Sequence, residues 1–155
     1  MLREGTNADH VVLGEVMHDA VRNGPSRYTE SQRATWVPTP RSGPDWSERL
    51  GAQTIVLDET DGEVRGFMTL AKGGYVDFAY VRPAHQGTGL FRRLFAEIER
   101  RADARGLDRL WVHASLMAQP AFAALGFEIV RKETVYIGDV AFDRFEMQKH
   151  LADGG

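Results

Sequence analysis

Tyr75-Val76-Asp77-Phe78-Ala79-Tyr80-Val81-Arg82-Pro83-Ala84-His85-Gln86-Gly87-Thr88-Gly89-Leu90 is the stretch on which the fold turns. It opens as a β-branched and aromatic run, breaks at Arg82-Pro83 and crosses Gln86-Gly87-Thr88-Gly89. Beyond it Leu90, Phe91, Leu94, Phe95 and Ile98 fall at i, i+1, i+4, i+5 and i+8, the apolar stripe of an amphipathic helix ending near Ala104. A strand that feeds a glycine loop opening a helix is an anion site. The first helical N–H groups lack intrahelical acceptors, and the helix dipole puts partial positive charge beside them. Gly87 and Gly89 carry no Cβ, so a phosphate can approach the backbone.

The loop lacks the Lys-Ser/Thr ending of a nucleotide-triphosphate P-loop and is too short for the dinucleotide fingerprint. It resembles the acetyl-CoA loop of the GNAT family of N-acetyltransferases, which reads Gln/Arg-x-x-Gly-x-Gly/Ala after a Val-x-Pro strand end. Here those are Gln86-Gly87-Thr88-Gly89-Leu90-Phe91 and Val81-Arg82-Pro83, with Phe91 where Gly or Ala is usual. The resemblance implies that backbone N–H groups from Gly87 to Phe91 hold the CoA pyrophosphate. It also implies that Ala79, Tyr80 and Val81 face the cofactor, with an N–H near Tyr80 serving the oxyanion of acyl transfer.

A second stretch, Ser115 to Phe127, is similar to the family's Asn-x-x-Ala-x-x-x-Tyr-x-x-x-Gly-Phe segment. Ala118, Gly126 and Phe127 match, Ser115 replaces the Asn and Phe122 replaces the Tyr. By that resemblance Ser115 reaches the pantetheine arm, while Phe122 cannot protonate the departing thiolate as a Tyr would. A thiol of pKa about 8.5 is a tolerable leaving group without an acid.

Outward from these motifs the chain reads as follows. Leu2-Arg3-Glu4 is a short strand, and Thr6 or Asn7 caps a helix with Val12, Val16, Met17 and Ala20 on one face, stopped by Asn23-Gly24-Pro25. Residues 26–50 form a Pro-rich helical and loop segment on the expected substrate side. Thr29 caps a helix to Trp36 with Gln32 as its reciprocal partner, and a second helix runs from Asp45 to Leu50. Tyr28, Trp36 and Trp46 there either fill a satellite core or wall a substrate pocket. Thr54–Leu57 and Val64–Leu70 pair across Asp61-Gly62, Arg109–Ala114 returns parallel to Tyr75–Val81, and 127–135 with 140–147 close a hairpin. The expected fold class is α+β. It is a single GNAT-like domain over 1–155, with a mixed, mostly antiparallel sheet of about seven strands and helices on both faces.

Transfer of acetyl to an amine of pKa about 10.4, only about 1 in 10³ neutral at pH 7, calls for a base. Asp77, a carboxylate in an apolar strand, is the first candidate and His113 the second. Tyr136 and Tyr80 are candidate acids, and His85 is expected near the phosphates. Arg92 and Arg93 lie close enough to the loop to touch them too. The five histidines show no metal spacing, so acetyl-CoA is the one expected cofactor. A net charge of −3, acids interleaved with the basic residues and no apolar run of membrane length argue against nucleic acid and membrane as partners. A small-molecule amine is the expected partner, and a homodimer is compatible with the sequence. The absence of cysteine excludes disulfides and a thiolate nucleophile. No apolar leader follows Met1, and together these point to a cytoplasmic protein. The reading is an acetyltransferase; the alternative is a non-catalytic acyl-CoA-binding or sensing domain, and a generic phosphate-binding module is poorer than either.

Overall fold

The computed structural model describes residues 1–151. After β1 (Leu2–Glu4) and a 3-10 turn at Asn7–Asp9 come α1 (His10–Asn23), α2 (Glu30–Trp36), α3 (Pro44–Gly51), β2 (Thr54–Thr60) and β3 (Glu63–Leu70). Then follow β4 (Tyr75–Val76), β5 (Ala79–Val81), α4 (Leu90–Ala104), β6 (Arg109–Ser115), α5 (Ala118–Ala124), β7 (Glu128–Ile137) and β8 (Val140–His150). The strands form two four-stranded sheets, β1-β2-β3-β5 and β4-β6-β8-β7. Every pairing is antiparallel except β4 with β6. Among the described residues no helix is long and apolar enough to cross a membrane.

Local signals account for most boundaries. Thr29 Oγ1 accepts from the Gln32 N–H at 3.0 Å while Gln32 Oε1 accepts from the Thr29 N–H at 2.7 Å, the reciprocal cap that starts α2. Asp61 and Gly62 both take positive φ, 53° and 76°, as a two-residue hairpin turn between right-twisted strands requires.

The run 75–81 is two strands instead of the expected one, and this fixes the site. Tyr75 and Val76 pair with Trp111 and Val112 of β6, whereas Ala79–Val81 pair with Gly66–Met68 of β3. The switch falls on Asp77-Phe78. Thr69 captures Phe78, its N–H donating to the Phe78 carbonyl (2.9 Å) and its Oγ1 accepting from the Phe78 N–H (3.0 Å). The chain thus leaves one sheet for the other, and a wedge opens between β5 and β6. The strand count becomes eight for the same reason.

Two cores hold the wedge in place. Val56 and Met68 point to one face of the first sheet, where Leu94, Phe95, Ile98, Phe122 and Phe127 pack from α4, α5 and the chain beyond. Their neighbours Ile55, Leu57 and Phe67 point to the other face, against Leu13, Val16 and Met17 of α1 and Leu50 of α3. Trp46 packs in this second core and borders neither of the two cavities at the wedge. It is buried, donates from Nε1 to the His10 carbonyl at 2.7 Å and meets Phe78 edge-on at 5.1 Å, tying α3 to α1. An aromatic in a Pro-rich segment finds its partner through tertiary packing, which the segment itself does not encode.

Phe122 is 1% exposed and lies edge-on to Phe91 and Phe127, at 5.3 and 5.1 Å between ring centroids. Phe122→Ala is therefore expected to lose about 3–5 kcal/mol of stability, the range for emptying a packed aromatic site. Urea denaturation measures it, and a loss below about 1 kcal/mol would remove Phe122 from the core.

Candidate active site

The wedge exposes one edge of β5. The flanking bonds, Thr69 N–H to Phe78 O and Arg82 N–H to Arg65 O, set the parity of the ladder. With Tyr80 opposite Phe67, the N–H and C=O of Tyr80 turn toward β3, and those of Ala79 and Val81 turn the other way, into the wedge. Gln86 Nε2 takes the Val81 carbonyl at 3.1 Å. Of the N–H groups near Tyr80, those of Ala79 and Val81 face the wedge, since that of Tyr80 serves the ladder.

Below this edge lies the glycine loop. Gly87 and Gly89 have φ of 75° and 83°, with Gly89 as the left-handed N-cap of α4. A Cβ at either would meet nothing within 4 Å. Positive φ is what selects glycine here, and the space beside the loop is open. Thr88 turns back, its hydroxyl donating to the His85 carbonyl at 2.6 Å, and His85 itself pairs with Glu63 at 2.9 Å. A cavity of about 390 Å³ joins the loop to the edge of β5. Ala79, Tyr80, Val81, Gln86, Gly87, Gly89, Leu90, Phe91 and Ser115 all border it; Thr88 and Phe122 do not.

A second cavity of about 350 Å³ lies on the other side of Tyr80. Tyr28, Trp36, Ala79, Tyr80, Ser115 and Ala118 border both, so the two meet at the wedge. Tyr28 bridges it, donating its hydroxyl to the Asp143 carbonyl at 2.6 Å and accepting from the Leu116 N–H at 3.4 Å. Burial pushes its phenol pKa up, so it remains a neutral clasp. Trp36 packs edge-on to Tyr28 at 5.9 Å and tilts over Tyr80 at 6.4 Å.

Asp77, His113, Tyr136 and Phe122 all border this second cavity, in very different settings. Asp77 is held by a fork from Arg49, at 2.8 and 2.6 Å, and by Gln53 Nε2 at 2.7 Å. It is half of a bidentate ion pair instead of a lone carboxylate in an apolar strand. Arg49 in turn lies 4.6 Å over the Phe78 ring.

His113 has Nδ1 at 2.9 Å from the Tyr75 hydroxyl, and its Nε2 faces Glu133 and Glu146 at 3.6 and 3.9 Å. Burial lowers its pKa below the ordinary 6.5, helped by the Arg144 charge and opposed by the two glutamates. The imidazole is therefore neutral at pH 7 and able to take a proton. Burial raises the phenol pKa of Tyr75 and of Tyr80, and each stays protonated. Tyr136 is 68% exposed on β7, at the rim.

Sequence reasoning missed Arg49, Gln53, Tyr75 and Arg144. Alternation along β8 puts Phe142, Arg144 and Glu146 on one face, a signal that was readable. Only the pairing of Ser115 with Arg144 and of His113 with Glu146 shows which face that is.

A strand crosses between two sheets above a glycine-loop helix, with a cavity on each side. The chain belongs to the GNAT acetyltransferase family: the family described as Acetyltransferase (GNAT) domain matches residues 25–149. Among solved structures it is similar to the GCN5-related N-acetyltransferase (aminotransferase, class II) from Rhodopseudomonas palustris. That likeness has 26% identity and a TM-score of 0.88 over 97% of this chain and 95% of that one. The phosphinothricin acetyltransferase of Sinorhizobium meliloti, crystallised with acetyl-CoA, shares the fold at 22% identity and TM-score 0.75, over 99% and 89% of the two chains. So does the PaiA N-acetyltransferase of Thermoplasma acidophilum with coenzyme A, at 16% and 0.71, over 97% and 98%. No curated protein sequence matches the chain.

Proposed function

We propose that the protein moves the acetyl group of acetyl-CoA to the primary amine of a small molecule. The observation that carries this is the meeting of two cavities at an unpaired strand edge, one reaching the glycine loop and the other walled by aromatic and polar side chains. The first cavity is the one this reading assigns to acetyl-CoA. Open, positive-φ glycines precede a helix N-terminus, and among the described residues the N–H groups of Ala79 and Val81 face the same wedge and are free to meet an amide-bearing arm. The acetyl-CoA and CoA complexes of proteins with this fold support the same assignment.

The chain's residues then have distinct tasks. N–H groups from Gly87 to Phe91 neutralise the pyrophosphate. Ala79 and Val81 donors serve the arm and the thioester oxygen, where negative charge develops. The amine nitrogen attacks the acetyl carbon, a C–N bond forms, the C–S bond breaks and CoA leaves as thiolate. His113, neutral and backed by Glu133 and Glu146, takes the ammonium proton. Asp77 with Arg49 and Gln53 shapes the polar wall on the acceptor side. Phe122 supplies packing and no proton, which the low basicity of a thiolate tolerates. Dependence on acetyl-CoA and the lack of cysteine fit a cytoplasmic protein.

Release of free thiol from acetyl-CoA in the presence of an amine panel tests the proposal. Amine-dependent release is expected. CoA binding by calorimetry without release by any amine would assign the protein to non-catalytic acyl-CoA binding instead.

A further inference from the structure

We infer that the acceptor amine also carries a carboxylate, that it is an α-amino acid with an apolar side chain, and that Arg144 binds the carboxylate. This rests on the acetyl-transfer reading of the same cleft. Arg144 stands opposite Ser115 in the β6–β8 ladder, so its side chain shares a face with Ser115 and His113 and borders the second cavity. Its Nε donates to Glu133 Oε1 at 2.7 Å, which fixes the guanidinium. Among the described residues neither Nη atom has a hydrogen-bond partner, and the side chain is about a third exposed, at 32%.

The other charges around this cavity are already matched. Asp77 holds Arg49, and Glu146 holds Arg131 at 3.2 Å, while Glu133 is taken by Arg144 itself. His113 is neutral at pH 7. What the cavity offers an incoming molecule is therefore a pair of guanidinium donors, with no unmatched carboxylate to attract a simple alkylammonium. A plain amine would cover those donors and leave them without an acceptor, a costly arrangement for a charged group. A carboxylate satisfies both Nη groups in the planar, two-pronged geometry that guanidinium favours.

Position narrows the class further. Ser115 borders both cavities, so Arg144 beside it stands near the junction where the acetyl group is delivered. A carboxylate held there lies next to the reacting nitrogen, as in an α-amino acid and not at the far end of a long ω-amino acid. The remaining wall, Trp36, Tyr80, Val135, Ile137 and Phe142, is apolar and suits an aliphatic or aromatic side chain.

The test compares L-phenylalanine with L-phenylalaninol as acceptors, at several pH values so that amine protonation is corrected for. The wild type is expected to favour the acid at least about tenfold in kcat/KM, the scale of a charge-assisted pair. Arg144→Gln should collapse that ratio toward one, chiefly through KM for the acid. Arg144→Lys, which keeps the charge but loses the fork, should fall between. A wild type that favours the amino alcohol, or an unchanged ratio in folded Arg144→Gln, overturns the inference. Should neither compound accept acetyl, the transfer reading fails on this pair and the carboxylate site is judged by binding. N-acetyl-L-phenylalanine and its amide are then titrated by calorimetry with CoA present. Preference for the acid that disappears in Arg144→Gln upholds the site; equal binding of acid and amide removes it.

Discussion

Gly89→Glu weakens CoA binding at least about 100-fold while the protein remains folded. Gly89 is the left-handed N-cap of α4 at φ 83°, and a Cβ there would point into open space. The substitution therefore displaces no packed atom, and its folding cost is the strain of a left-handed side chain, about 1–2 kcal/mol. Its effect on the ligand is larger. A carboxylate opposes the helix dipole where pyrophosphate is to sit, and its bulk denies the phosphate two backbone donors. Two charge-assisted hydrogen bonds lost amount to roughly 3 kcal/mol, or about two decades in affinity. Gly89→Ala separates the contributions, because it carries the strain without the charge or the bulk and should lose far less. Calorimetry with CoA, alongside thermal unfolding of each variant, gives the comparison. Wild-type affinity in a folded Gly89→Glu would remove the phosphate site from this loop.

The loop was legible because its requirements are local. Glycine is selected at Gly87 and Gly89 by backbone angle, and the apolar spacing gives a helix that buries Leu90, Leu94, Phe95 and Ile98 and partly buries Phe91. The Thr29–Gln32 cap is equally local. The break at Asp77-Phe78 was not, because the β-forming run continues through it without a change of period. What decides it is Thr69, eight and nine residues upstream on β3, which claims Phe78 for the other sheet.

The acceptor cavity was the least legible part for the same reason. Its polar groups come from α3 and the turn after it, the β4–β5 connection, β6, β7 and β8, and the partners that engage one another, such as Asp77 with Arg49 or His113 with Glu133, are far apart in sequence. Asp77 stands out in sequence as a charge among apolar neighbours, yet Arg49 and Gln53 that engage it lie 28 and 24 residues away. Trp46 and Trp36 look alike in a Pro-rich segment. The indole of Trp46 finds the His10 carbonyl and enters the core, while that of Trp36 faces the wedge beside Tyr28 and Tyr80.

Replacing His113 with Gln lowers turnover by about 10²–10³, within the range for losing a positioned base, and leaves CoA affinity near wild type. Asp77→Asn has the smaller effect on rate, because both Asp77 oxygens already accept from Arg49 and Gln53 and are poorly placed to take another proton. The acceptor for this comparison needs a pKa well away from the acid limb of the profile, so that the limb reports the enzyme. A second readout tests the imidazole directly. Because burial holds the folded-state pKa of His113 below the ordinary 6.5, the unfolded chain binds the proton more readily. The stability associated with neutral His113 is fully present above pH 6.5 and is lost as pH falls from there through the folded pKa. The wild type should therefore lose melting temperature across that window more steeply than His113→Gln, and the difference should vanish above it. A variant that keeps wild-type turnover but shows the flattened melting profile makes His113 a structural histidine. If instead Asp77→Asn carries the larger loss of rate with CoA affinity intact, the proton goes to Asp77.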